Sequence, residues 1–288
     1  MKSHYRKATA AEVKFYQEKL YPLQDYILSL CAHYEDIYLT GGTALGRFYL
    51  NHRLSDDLDL FIKVRKKDSE KVLNLLKRAD YYARDLAGKI SRKHKVADAM
   101  YGEFYSRFYV NVEDFPLKVD IVREYHHSGK LRRMANGVII NNLKDIAVGK
   151  LMAFEDRAEI KDIIDLFYLS QKFSYKELFE LAILKRIPIA YENMLTINVH
   201  GISGKALITK DIDANKLSDF VEELREKVEE EIKKKEIIAM DNIAEIVKKM
   251  LWDFPREDRV INQYSIPVLK RRLHRLPLPE KRALERLL

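Results

Sequence analysis

The residue pattern predicts an α/β (α+β) fold, with a mixed sheet flanked by helices over residues 1–140 and a mostly helical part over 141–288. Three observations carry this. Short runs that alternate apolar and polar residues, such as Asp57-Leu-Asp-Leu-Phe-Ile62, recur in the first half with glycine turns between them. From about residue 141 the apolar residues recur at spacings of three and four instead. At 288 residues, 47% hydrophobic and 33% charged, the chain has material for one large or two modest domains with a real core.

Along the chain, Val13, Tyr16, Leu20, Leu23, Ile27 and Leu30 form a helical stripe broken near Pro22, which predicts two packed helices. Asp36–Thr40 reads as a strand, Gly41-Gly42 as its turn and Thr43–Arg53 as a helix. The strand Asp57–Ile62 follows, then a helix from about Ser69 carrying Val72, Leu73, Leu75 and Leu76. Phe104–Val112 and Leu117–Val122 read as neighbouring strands joined by a turn. Later, residues 145–157, 162–170, 175–183 and 217–238 each fit a helix, with prolines punctuating the final third.

Composition narrows the function classes. Cys31 is the single cysteine, so an internal disulfide is impossible and a reducing cytoplasm is the natural compartment. No apolar run approaches a membrane span, and no apolar segment follows the N-terminal charges, so neither secretion nor a membrane role is expected. The formal net charge is +8. It is concentrated in two windows, residues 77–95 and 264–288, each with seven Lys or Arg against two acids. Such windows suit either solvated helix faces or an anionic partner such as RNA.

The chemistry concentrates in Asp57-Leu58-Asp59. Two residues apart on a strand, both carboxylates project from one face while Leu58 and Leu60 enter the core. Crowded carboxylates repel, and Mg²⁺ bound together with substrate phosphates would offset that repulsion. Asp120 stands in a run of the same alternation, so a neighbouring strand can bring it beside Asp59. Upstream, Gly41-Gly42-Thr43 ends a strand and opens a helix, where unpaired N–H groups accept an anion. A plain βα turn uses Gly-Gly equally well. A phosphate cradle followed on the next strand by Asp-x-Asp is, in combination, what transfer from a nucleoside triphosphate requires.

Tyr38-Leu-Thr-Gly-Gly-Thr-Ala-Leu45, Phe48-Tyr-Leu-x-His-Arg53 and Ser55-x-Asp-Leu-Asp-Leu-Phe61 resemble the signature of the AbiEii/AbiGii-type nucleotidyltransferase toxin family, within the DNA polymerase beta-like superfamily. Asn142-Leu-Lys-Asp-Ile-Ala-x-x-Lys150, Ala153, Arg157 and Lys161-Asp162-x-x-Asp165-Leu166 resemble its helical-domain motif. The resemblance covers about residues 36 to 170 and leaves 171–288 to composition alone. It implies a catalytic domain over 1–140 and a helical domain over 141–288 that completes the cleft. It further implies that Gly41, Gly42 and Thr43 hold the triphosphate of an NTP, and that Asp57, Asp59 and Asp120 bind Mg²⁺ in a two-metal site. Asp120 would also help activate the attacking hydroxyl. Lys150 and Arg157, seven apart on one helix, would contact phosphate or base, and Asp162 would contact substrate. Arg53 would reach phosphate or pair with Asp56.

The resulting expectation is a Mg²⁺-dependent transfer of NMP to an acceptor hydroxyl by the toxin of a toxin–antitoxin pair, held by a cognate antitoxin. A tRNA 3′ end fits the basic windows. A protein or small-molecule acceptor, a γ-phosphotransferase, and a non-catalytic binding module of the same fold are the alternatives. Other signals are set aside. His200-Gly-Ile-Ser-Gly-Lys205-Ala206 echoes a P-loop but has Val199 before it and Ala206 where Ser or Thr should follow the lysine. His126-His127 lacks further ligands, and Trp252, Phe254 and Tyr264 are expected to serve packing.

Overall fold

The structure, a computed structural model, describes residues 4–64, 78–124, 129–157, 159–185, 192–195 and 203–288. The helix expected from Ser69 therefore lies outside the described residues, as do Lys77, His126, His127 and the stretch His200–Ile202.

A short strand β1 (Tyr5–Lys7) leads into a helical segment that differs from the two packed helices expected. Residues 10–31 form one continuous run, α1 (Ala10–Phe15) and α2 (Tyr21–Cys31), joined by a π-helical turn at Tyr16–Leu20. Pro22 lacks the N–H a regular helix would use, and the wider turn just before it absorbs that loss without a break. Thr9 and Glu12 close the N-terminus as a capping box. Cys31 is buried at the other end, where burial pushes its thiol up to about 12.

Strand β2 (Ile37–Thr40) passes directly into α3 (Gly41–Leu45), a second π turn (Gly46–Leu50) and a left-handed residue, Asn51, that ends the helix. Then come β3 (Leu58–Lys63), α4 (Ala79–Ile90), β4 (Val96–Tyr101), β5 (Tyr105–Val112), β6 (Phe115–Glu124), β7 (Arg132–Arg133) and β8 (Ile139–Ile140). Among the described residues these strands form a seven-stranded sheet in the order β4-β5-β6-β3-β2-β8-β7. It is mixed, because β3 runs parallel to β6 and β2 parallel to β8 while the other neighbours are antiparallel. Leu58, Leu60 and Ile62 are fully buried on one face, each such burial stabilising by roughly 1.5–3 kcal/mol.

The rest is chiefly helical: α5 (Leu143–Arg157), α6 (Ile160–Leu169), α7 (Tyr175–Lys185), α8 (Glu192–Leu195), the strand β9 (Ala206–Ile208), α9 (Ala214–Asp241), α10 (Ile243–Met250), α11 (Ile266–Arg272) and α12 (Leu278–Glu285). Strand β9 pairs in parallel with β1, so the N-terminus is tied into the second half. One hydrophobic core runs from Tyr5 to Ile232, and a second, smaller one gathers Ala239, Met250, Leu269 and Leu284. The long helix α9 supplies both. Trp252 and Tyr264, expected in packing, are instead 67% and 74% exposed, because the loop between α10 and α11 turns them outward.

Candidate active site

Strands β3 and β6 are in register with Leu58 opposite Val119 and Asp59 opposite Asp120. Alternation sends the leucine and valine into the core and the two aspartates to the other face. Asp57 stands just before β3, so the three expected carboxylates come to one end of two neighbouring strands. They are not equivalent. Burial, with Asp57 beside it, raises the Asp59 carboxyl above its ordinary range. Burial also works on Asp120, but Arg107 Nε at 2.8 Å, Lys118 Nζ at 3.0 Å and the Tyr105 hydroxyl at 2.9 Å hold it below that range. The same Lys118 reaches Asp57 at 3.2 Å.

Among the described residues no three His, Cys, Asp or Glu side chains converge into a ready metal cage. Two of the three aspartates close on an ammonium instead. The oxygens it bridges are hard carboxylate donors, whose chemistry suits Mg²⁺.

Next to Asp59, opposite Thr40 in the sheet, lies the glycine turn. Gly41 has φ +68°, and a Cβ there would sit 2.0 Å from Asp59 Oδ2. A Cβ on Gly42 would meet the Arg53 guanidinium at 2.7 Å and Ser55 Oγ at 2.9 Å. Both glycines are therefore required by close approach. Thr43 is fully buried; its hydroxyl contacts Ser55 Oγ at 3.1 Å and the Asp57 carbonyl. It fastens the turn from beneath and does not face the cleft.

Arg53 forks onto Asp165, where a pairing with Asp56 was one expectation. Its guanidinium is buried and binds Asp165 in fork geometry, Nε to Oδ1 at 2.7 Å and Nη2 to Oδ2 at 2.8 Å. His52 Nε2 lies 2.7 Å from the same carboxylate, and Lys150 Nζ lies 2.8 Å from it. Despite burial, these partners hold the Asp165 carboxyl well below the usual range. Lys150 and Arg157 do share a face of α5, and they share a partner too: Asp162 binds Lys150 at 3.0 Å and Arg157 Nε at 2.7 Å. Asp162, expected to contact substrate, is fully buried in the first turn of α6. Lys150 is buried, whereas the Arg157 side chain stays 43% exposed.

These walls enclose a cleft of about 420 Å³. Its sheet side presents Gly41, Asp59 and Phe61, and its helix side presents Lys150, Ala153 and Arg157. Asn141, which sequence reasoning passed over, joins the two sides by donating to Thr40 Oγ1 at 3.1 Å and Asp145 Oδ2 at 3.0 Å. Lys118 was equally missed as a site residue, although its two-residue spacing from Asp120 already put both on one strand face. The basic windows are partly neutralised within the chain. Lys89 pairs with Asp85, Arg272 with Asp253, and Arg282 with Glu229, while Arg92, Lys93, Lys95, Lys270, Arg271 and Arg275 are exposed.

Residues 23–243 match the family model of the nucleotidyl transferase AbiEii toxins of type IV toxin–antitoxin systems. The chain belongs to the AbiEii nucleotidyltransferase toxin family. Among solved structures it is similar to MenT4, a nucleotidyltransferase toxin of Mycobacterium tuberculosis, at 15% identity and TM-score 0.53, covering 73% of this chain and 82% of that one. It also matches JHP933 of Helicobacter pylori at 19% identity and TM-score 0.42, over 74% of this chain and 93% of the other. No curated protein matches closely enough to count as a relative. AbiEii membership makes this chain a nucleotidyltransferase and implies an NTP substrate and a cognate antitoxin. Among the described residues of this AbiEii protein no helix is long and apolar enough to cross a membrane.

Proposed function

We propose that this AbiEii protein transfers an NMP from an NTP to a hydroxyl at the 3′ end of a tRNA, dependent on Mg²⁺. The observation that carries the reading is the register pair Asp59–Asp120, with Asp59 lining a cleft whose opposite wall holds Lys150 and Arg157. Asp57, Asp59 and Asp120 are the residues that would hold Mg²⁺, which would lower the pKa of the attacking hydroxyl and offset charge on the departing oxygens. The acceptor oxygen forms a bond to the α-phosphorus, Asp120 helps activate the hydroxyl and its proton passes on to solvent water, and the bond to the β-phosphate bridge breaks, so pyrophosphate leaves with the electron pair. Gly41 and Gly42 let the triphosphate approach the backbone at the start of α3. Arg157 supplies positive charge from the helical wall, and Asp162 orients both it and Lys150. In this reading residues 1–140 form the catalytic domain and 141–288 complete the cleft.

Incubation with total tRNA and either α- or γ-labelled NTP tests the proposal. Label from the α-position on RNA, with release of pyrophosphate and dependence on Mg²⁺, is the expected result; transfer of γ-label would replace it with a phosphotransferase. Replacing Asp57 and Asp59 together by Ala should abolish transfer while the fold persists. The RNA acceptor has its own test. Binding should weaken with salt at a log–log slope of about −0.7 per contacted phosphate. Charge reversal at Arg92, Lys93 and Lys95, or at Lys270, Arg271 and Arg275, should reduce that slope. A flat wild-type curve would point to a protein or small-molecule acceptor.

A further inference from the structure

Lys118 stands at the carboxylate end, and the proposed reaction gives it no part. It stands two residues before Asp120 on the same face of β6, and its side chain is 24% exposed. The pairing that sets Leu58 against Val119 and Asp59 against Asp120, continued one step outward, sets Asp57 against Lys118. Strand register therefore brings the two residues together, and the extended Lys118 side chain completes the contact. The ammonium lies 3.0 Å from Asp120 Oδ2 and 3.2 Å from Asp57 Oδ2, bridging carboxylates from two strands. Arg107 grips Asp120 from a third strand, Nε to Oδ1 at 2.8 Å and Nη2 to Oδ2 at 3.5 Å, so Lys118 is the nearer cation on Oδ2.

A divalent ion coordinated by the same two carboxylates would need their oxygens at about 2.0–2.1 Å for Mg²⁺, in the space the ammonium now commands. The two cations cannot hold that position together. We propose that Lys118 is a tethered counter-cation of the metal site, neutralising Asp57 and Asp120 while no metal is bound and yielding them when one enters, so that it sets the affinity of the nucleotide-free protein for divalent ions. The inference rests on the assignment of Asp57 and Asp120 as metal ligands. Its physical content is competition. With Lys118 present, metal entry must first break two ion pairs; without it, Asp57 loses its ion pair and Asp120 keeps Arg107, so the two carboxylates draw a divalent ion more strongly.

The test is Mn²⁺ binding to the nucleotide-free full-length chain, followed by loss of the free-ion electron paramagnetic resonance signal at constant ionic strength. Lys118→Met should bind Mn²⁺ about tenfold or more tighter than wild type, the effect of deleting a unit charge at ion-pair distance. Lys118→Arg, which keeps the charge, should bind no tighter than wild type. Equal or weaker binding by Lys118→Met overturns the proposal. A second measurement needs no variant: acylation of Lys118 in the wild-type protein, read by mass spectrometry, should accelerate when Mn²⁺ is added, and an unchanged rate overturns the proposal as well. Asp57→Asn with Asp120→Asn separates this inference from the one beneath it. If that pair of changes abolishes Mn²⁺ binding while Lys118→Met leaves it unaltered, only the role of Lys118 fails. If Mn²⁺ binding is indifferent to both aspartates, the metal assignment falls and takes this inference with it.

Discussion

At Gly41 a backbone position and a side chain compete for the same space. The residue has φ +68°, and a methyl group would overlap Asp59 Oδ2 at 2.0 Å. Gly41→Ala should therefore displace the Asp59 carboxylate and strain the turn. We expect kcat/KM for NMP transfer to fall about 100-fold, the usual consequence of an ångström-scale misplacement. The strain, about 1–3 kcal/mol, should lower the thermal midpoint by only some degrees, which calorimetry beside steady-state kinetics would separate. Lys150 and Arg157 share Asp162 but differ in burial, and so should their variants. Lys150→Ala removes a buried cation from two fully buried carboxylates and should cost about 3–5 kcal/mol in urea unfolding. Arg157→Ala, at a half-exposed position, should cost about 1 kcal/mol or less while still impairing NTP use. Equal losses of stability would contradict the burial argument.

At the scale of elements, Asp165 on α6 gathers His52 and Arg53 from beyond the second π turn and Lys150 from α5. Two segments, one of them 112–113 residues away in sequence, are clasped by one carboxylate. Burial lowers the pKa of His52 below its ordinary value. The unfolded chain then takes up a proton near pH 6.5 that the folded chain refuses, so stability falls as pH drops below about 6.5, by up to about 1.4 kcal/mol per unit. The carboxyls of Asp162 and Asp165 are depressed, so their contribution is present above the unfolded value near 3.9 and is lost only as pH falls through their lower folded values. His52→Gln retains a donor for Asp165 but does not titrate. The slope of urea midpoint against pH between about 5 and 6.5 should flatten in that variant; an unchanged slope would place the titration elsewhere.

Over the whole molecule, α9 is the beam that carries both cores: Leu217 to Ile232 face the larger, Ala239 the smaller. The C-terminal helix is fastened to it through the buried Glu236, which Arg282 approaches at 3.6 Å and Arg286 at 2.6 Å. Glu236→Ala should loosen this end by about 1–2 kcal/mol, discounted because both arginines are partly exposed. Limited trypsin digestion should then release fragments beyond α9 faster than in wild type, with the larger core surviving as the resistant product. Uniform digestion along the chain would argue against two separate cores.

Much of the site was legible in the sequence because its parts are local. Asp57-x-Asp59 on a strand, Gly-Gly at a strand-to-helix turn and Lys150 with Arg157 seven apart each depend on a period of two or on helical spacing. The helices expected over 145–157, 162–170, 175–183 and 217–238 are present, most with earlier starts or later ends and the second stopping at Leu169, since apolar periodicity marks the middle of a helix better than its caps. What only the tertiary structure decided is who faces whom. Arg53 meets Asp165 across 112 residues, a partner no local spacing suggested. Asp162 is a buried clasp, Thr43 lies beneath the turn, and Lys118 bridges Asp57 and Asp120. Strand alternation determines the face a residue takes, but strand register and the closure of α5 and α6 over the sheet determine its partner. Those are long-range choices that no local spacing encodes.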